Sequence, residues 1–163
     1  MGPSSPRSAR KSSGGSALKN GKINRNSASY KLSVKWGKKV LALANAYRAK
    51  KGRSPATQVW STKLHDLCFK HSMDMAKAGR LSHDGFRHRL KLMRKAGVRV
   101  YGANENVAYN WGGKNPAAKV LSQWIKSPGH NRNLLANGRN VQSVSVFVSG
   151  GKWWFCQMFL KTK

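Results

Sequence analysis

Reactive side chains are few in this sequence, and their spacing limits what they can do. Ser82 directly precedes His83, and Ser127 stands three residues before His130, so each hydroxyl has an imidazole close by in sequence that is able to act as its base. Neither serine sits in a nucleophile elbow and no aspartate is placed to orient either ring, so a hydrolytic triad is not expected. Ser127-Pro128 reads better as a helix stop. The two thiols, Cys68 and Cys156, fall on the apolar face of a helix and within a hydrophobic strand, where sulfur is usually inert. They are expected to remain two buried thiols without a structural disulfide. Carboxylates number only four, Asp66, Asp74, Asp84 and Glu105, against 32 lysines and arginines. Acid-base chemistry therefore has little material here, and anion binding has much.

The formal charge of +28 costs self-repulsion in any compact state, and an acidic partner would offset it: RNA, DNA, an acidic protein lattice or an anionic membrane. Solubility alone is better served by acids than by bases. Arg87, Arg89, Lys91, Arg94, Lys95 and Arg99 crowd into thirteen residues, with no acid at four-residue spacing to pair with them. A second comb of cations, Arg7, Arg10, Lys11, Lys19, Lys22 and Arg25, runs through the N-terminal segment. Both sets are expected to contact a polyanion. The sequence carries no motif of a known nucleic-acid reader, so contact with nucleic acid would go to phosphate rather than to base sequence. Most of the six tryptophans should fill the core, whereas Trp111, in an Asn-Trp-Gly-Gly loop, is the one expected at an exposed contact.

The elements that must position these residues follow from periodicity. Residues 1–33 hold Ser, Gly, Asn and cations without a single acid, and are expected to be a low-complexity tail, disordered unless a partner orders it. Residues 34–163 have enough apolar content for one folded domain. Helices are expected over Lys35 to Lys51, from a cap at Ser61 or Thr62 to Gly79, over Phe86 to Ala96, and from Asn115-Pro116 to the stop at Ser127-Pro128-Gly129. After Gly138 the period changes to two. Val144, Val146 and Val148 alternate along one strand, Gly150-Gly151 turns the chain, and Lys152 to Leu160 returns as its hairpin partner. Trp153 and Trp154 must then face opposite sides of the sheet. Helices first and antiparallel strands later predict an α+β domain with helices covering a sheet. The first thirty residues show no apolar leader and no stretch approaches the ~18 apolar residues of a membrane span, so an intracellular protein is expected.

Four ordered segments tie these features together. They are His71-Ser72-Met73-Asp74-Met75-Ala76 leading to Leu81-Ser82-His83, then Asn104-Glu105-Asn106-Val107-Ala108, then Trp124 through Leu134, and finally Trp154 through Phe159. In this order they resemble the CAP superfamily of cysteine-rich secretory proteins, antigen 5 and plant pathogenesis-related proteins of class 1. The Ser-Pro-Gly-His-x-x-Asn-Leu form, from Ser127 to Leu134, is similar to its microbial branch.

The resemblance implies an α-β-α sandwich with an antiparallel central sheet. It also implies a cleft where two histidines and two acids form a tetrad that holds a divalent metal in some members. Here the histidines fall on His83 and His130 and one acid on Glu105, while the position of the second acid is Ser127. With two imidazole ligands, His83 and His130 would make only a weak zinc site, and no other cofactor is expected. The alternative is a hydrogen-bonded cluster in which Glu105 takes protons from the rings and locks loops over the sheet.

The expected function is accordingly that of a non-catalytic structural or interaction protein without a small-molecule substrate. Its basic tail and basic face would attach it to an acidic assembly, either an RNA-protein particle or an acidic filament such as a microtubule. Two other readings remain open: a lipid- or sterol-binding CAP protein at anionic membranes, and a metal-assisted hydrolase.

Overall fold

A computed structural model describes residues 15–54 and 59–163 of the chain. Ser27 is buried and its hydroxyl accepts the Tyr30 N–H at 3.1 Å, which starts helix α1 at Ala28 and carries it to Lys50. The buried face of α1 is Tyr30, Ser33, Gly37, Val40, Ala44 and Arg48, at three- and four-residue spacings. The helix thus begins well before Lys35, and the boundary expected between residues 33 and 34 falls inside it. Before it lies a small hairpin, β1 (Leu18–Lys19) and β2 (Lys22–Ile23), turned by Asn20 and Gly21, both at positive φ. Arg25 pairs with Asp66, and the Tyr30 hydroxyl donates to the same carboxylate at 2.6 Å. Residues 15–33 are therefore part of the folded domain. Arg7, Arg10 and Lys11 lie outside the described residues.

Helix α2 (Thr62–Ala78) follows the short strand β3 (Val59–Trp60) and has the expected ends: Ser61 accepts the Leu64 N–H, and Gly79 closes it at φ 70°. Helix α3 covers Phe86–Lys95, and helix α4 covers Pro116–Ile125 behind an Asn115 cap on Ala118. Ser127-Pro128-Gly129 stops α4 as expected, but it also opens α5 (Pro128–Leu134), with proline in the first turn where its missing N–H is harmless.

The sheet has the order β3-β5-β6-β4, with β4 at Gly102–Asn110, β5 at Val141–Ser149 and β6 at Lys152–Lys161. Strands β4, β5 and β6 are antiparallel, and β3 alone runs parallel to its neighbour β5. Gly150 and Gly151 make the hairpin turn at φ 58° and 79°, which side-chain-bearing residues adopt poorly. Helices α1, α4 and α5 cover one face through Val40, Ala44, Val120, Trp124 and Leu134, packed on Val144, Val146, Phe155 and Phe159. Helices α2 and α3 cover the other through Leu64, Cys68, Met75 and Met93, packed on Val107, Cys156, Met158 and Leu160. Trp153 joins the first layer and Trp154 the second, as the period of the strand requires. The result is an α-β-α sandwich. Among the described residues no helix is long and apolar enough to cross a membrane.

Candidate functional site

Strand β4 forms one edge of the sheet and carries Glu105 inward, where it is only 5% exposed. A carboxylate so placed must have partners, and it has four. His83 Nδ1, from the loop after α2, donates to Oε1 at 2.9 Å. On Oε2 the guanidinium of Arg89 donates twice, from Nη2 at 2.6 Å and Nε at 3.1 Å. His71 Nε2 lies 3.8 Å from Oε1 while it donates to the Ser82 carbonyl at 2.7 Å, and the Cys156 thiol approaches Oε2 at 3.8 Å. Two strands, two helices and a loop thus meet on a single side chain.

Burial is the largest influence on the Glu105 carboxyl and works to raise its pKa. The His83 hydrogen bond and the charges of Arg89 and His71 outweigh it, so the group lies below its ordinary value and is ionised. His83 is raised, chiefly by its hydrogen bond to Glu105. His71 is lowered by burial and then by the charge of Arg89. His130 is lowered by burial and then by the charge of His83, so the two rings are close enough to feel each other.

A groove of about 340 Å³ runs over the outer edge of β4, lined by Leu81, Val107, Ala108, Tyr109, Gln123, Trp124, Ser127 and His130. Its floor is the strand edge, whose outward carbonyls are already taken. Asn133 Nδ2 donates to Glu105 O at 3.1 Å, Trp124 Nε1 to Val107 O at 3.2 Å, and Gln123 Nε2 to Tyr109 O at 2.9 Å. At one end His130 Nδ1 lies 2.9 Å from Ser127 Oγ, a contact within the first turn of α5.

His83, Glu105, Ser127 and His130 are therefore gathered as the resemblance implied, but not as an open tetrad. Glu105 has no idle oxygen, and a buried guanidinium already supplies the positive charge beside it. Among the described residues no three His, Cys, Asp or Glu side chains are arranged to hold a metal ion. His83 and His130 would offer two ring nitrogens, fewer than the three protein ligands a catalytic zinc usually has.

Arg89 is also the misplaced member of the polyanion set. It is 6% exposed, its Nη1 donates to the Asp84 carbonyl at 2.8 Å, and it is an internal counter-ion rather than a surface contact. The sequence holds a signal for this, since Arg89 shares the Phe86-Leu90-Met93 stripe of α3. Arg87, Lys91, Arg94, Lys95 and Arg99 are exposed, as are Lys19, Lys22 and Arg25. Sequence reasoning passed over Lys63 and Lys70, which join Lys19, Lys22 and Arg25 around a groove of about 930 Å³ between the hairpin and α2.

The sequence profile of the cysteine-rich secretory protein family, CAP, matches residues 41–159. The chain belongs to the CAP family. It is 30% identical over 118 residues to the uncharacterized protein YkwD of Bacillus subtilis, a match that covers 71% of this chain and 44% of that protein. The chain thus spans less than half the length of this relative.

Two solved structures share the fold. An extracellular protein of Bacillus anthracis containing an SCP domain superposes with a TM-score of 0.65 at 22% identity, over 82% of this chain and 42% of that one. An outer surface protein of Borrelia burgdorferi gives a TM-score of 0.65 at 15% identity, over 77% of this chain and 92% of that one. These descriptions overturn the expectation of an intracellular protein. That expectation rested on the want of an apolar leader, and relatives of the same fold are described as extracellular or outer-surface proteins.

Proposed function

We propose that this CAP domain works by binding rather than by catalysis, attaching to an acidic polymer through its cationic surface. One observation carries the reading: every carboxylate side chain in the chain already has a cation. Asp66 pairs with Arg25, Asp74 with Lys70, Asp84 with Arg80 and Glu105 with Arg89. The surplus of +28 therefore has no acidic side chain left to meet it within the molecule. Helix α3 presents Arg87, Lys91, Arg94 and Lys95, and the groove beneath the hairpin adds Lys19, Lys22 and Lys63. Against catalysis stands the engagement of both Glu105 oxygens. The His130 ring, for its part, has its Nδ1 on Ser127 Oγ, and among the described residues no carboxylate orients it as a base for that hydroxyl.

The test is binding of the full chain to inorganic polyphosphate over a series of salt concentrations. The logarithm of the affinity should fall linearly with the logarithm of salt. The triple variant Lys91→Glu, Arg94→Glu, Lys95→Glu should weaken binding and flatten that slope, because fewer phosphates are neutralised and fewer counter-ions released. Binding that is absent at low salt, or indifferent to salt and to the triple variant, would end the reading. Release of the native protein from its particulate fraction by nuclease would identify the polymer as nucleic acid; release by salt alone would point to an acidic protein lattice or membrane.

A further inference from the structure

The loop between β4 and α4 holds a large aromatic ring out in water on a backbone that is tied down. Trp111 is 66% exposed and Tyr109, two residues before it, is 39% exposed. The backbone between them and α4 is tied down at several points. Gly112 N–H donates to Asn110 Oδ1 at 2.9 Å, Asn110 Nδ2 donates to Gln123 Oε1 at 3.2 Å, and Lys119 Nζ donates to Gly112 O at 2.6 Å. Gly112 has φ 73°, and a Cβ there would come within 2.6 Å of Trp153 Nε1, so the loop is seated directly on an indole. An anchored loop that presents an unburied indole has the form of a recognition element, because less backbone freedom is lost when it binds.

The neighbour of these rings decides what they bind. Lys152 Nζ lies 4.0 Å from the centroid of Tyr109, 4.8 Å from Trp154 and 5.4 Å from Trp111. The place for a cation among these π faces is therefore filled by the protein's own ammonium. What remains is the exposed surface of Trp111 for a flat neutral group, with a positive charge beside it for an anion.

Resting on the polyanion reading above, we propose that Trp111, flanked by Tyr109 and Lys152, is a stacking platform for the bases of a single-stranded nucleic acid, whose phosphates lie against Lys152 and the cationic surface. Such a polymer presents π faces and anions at regular intervals, and stacking on aromatic rings is tolerant of sequence. This agrees with the absence of any base-reading motif.

The experiment compares a fluorescent oligothymidylate of about 15 nucleotides with polyphosphate, which has the charge and no bases. Both are titrated into the full chain, Trp111→Ala and Trp111→Phe. Trp111→Ala should weaken oligothymidylate binding by about five- to 160-fold, the range expected when one base loses the ring it stacks on, leave polyphosphate binding unchanged and leave Tm unchanged. Trp111→Phe should restore most of the loss. Equal oligothymidylate affinity in wild type and Trp111→Ala, or equal losses for both polymers, overturns the platform while the polyanion reading stands. A loss seen with polygalacturonate and not with oligothymidylate assigns the ring to an acidic glycan and overturns it as well. If wild type binds neither oligothymidylate nor polyphosphate, the polyanion reading falls and takes the platform with it.

Discussion

At the scale of single residues, the centre of this molecule is a buried carboxylate held by a buried guanidinium. Removing one member of such a pair leaves the other charged and without its counter-ion. Arg89→Met should therefore destabilise the fold by about 3–5 kcal/mol in urea denaturation, and adding Glu105→Gln should recover a large part of that loss, because the uncompensated charge goes with it. The histidines set the response to acid. His65 is packed between Trp60, Tyr30 and Phe69, with Nε2 3.1 Å from Ser33 Oγ, and burial lowers its pKa from 6.5 to about 4. The unfolded chain then takes up that proton more readily than the native one, so stability rises with pH across this window and is lost as pH falls from about 6.5 towards 4. The loss attached to His65 alone is about 3 kcal/mol. His71 and His130 are lowered and act in the same direction, as does Glu105 below the ordinary carboxylate range. His83 is raised and opposes them, its contribution present below the ordinary histidine value and fading as pH rises. The urea midpoint measured from pH 7 to pH 4 should fall, and His65→Phe should flatten the fall.

At the scale of elements, α1 lies so close to β5 that a methyl group cannot pass between them. A Cβ on Gly37 would sit 1.9 Å from the Val144 carbonyl oxygen, so Gly37→Ala must push the helix off the strand. The expected cost is about 2 kcal/mol or more, read as a lower Tm. Elements whose signals are local were legible in the sequence: α2 between Ser61 and Gly79, α4 behind Asn115, and the β5–β6 hairpin about Gly150-Gly151. Strand β4 was not. Its Asn104, Glu105 and Asn106 do not look like a strand because their partners are distant in sequence, with Asn104 Nδ2 bonded to Asn133 O and Asn106 Nδ2 to His130 O and Gln157 Oε1. The N-terminal hairpin escaped for another reason. Asn20-Gly21 is a turn signal, but its flanking strands are two residues each and rich in lysine. Family resemblance located His83, Glu105 and His130, yet nothing in it foretold that Arg89 closes the cluster, since only the packing of α3 turns that one cation inward.

At the scale of the whole molecule, pairing of all four acids leaves a surface of almost one sign, and the fold accepts this by placing the surplus on helix faces and loops rather than in the core. Among the described residues the exceptions are Arg89 and Arg48; the latter is buried and donates from Nη1 to the Leu134 and Ala136 carbonyls at 2.8 and 2.9 Å. Strand order has a different consequence, one of timing. The central strand β6, which pairs with both β5 and β4, follows every other element of the sheet in sequence. During synthesis β4 can find no lateral partner until residues 152–161 have left the ribosome. Until then the backbone edge of β4 that β6 will cover has no strand to pair with, so closure of the sheet waits on the last of its strands to be made.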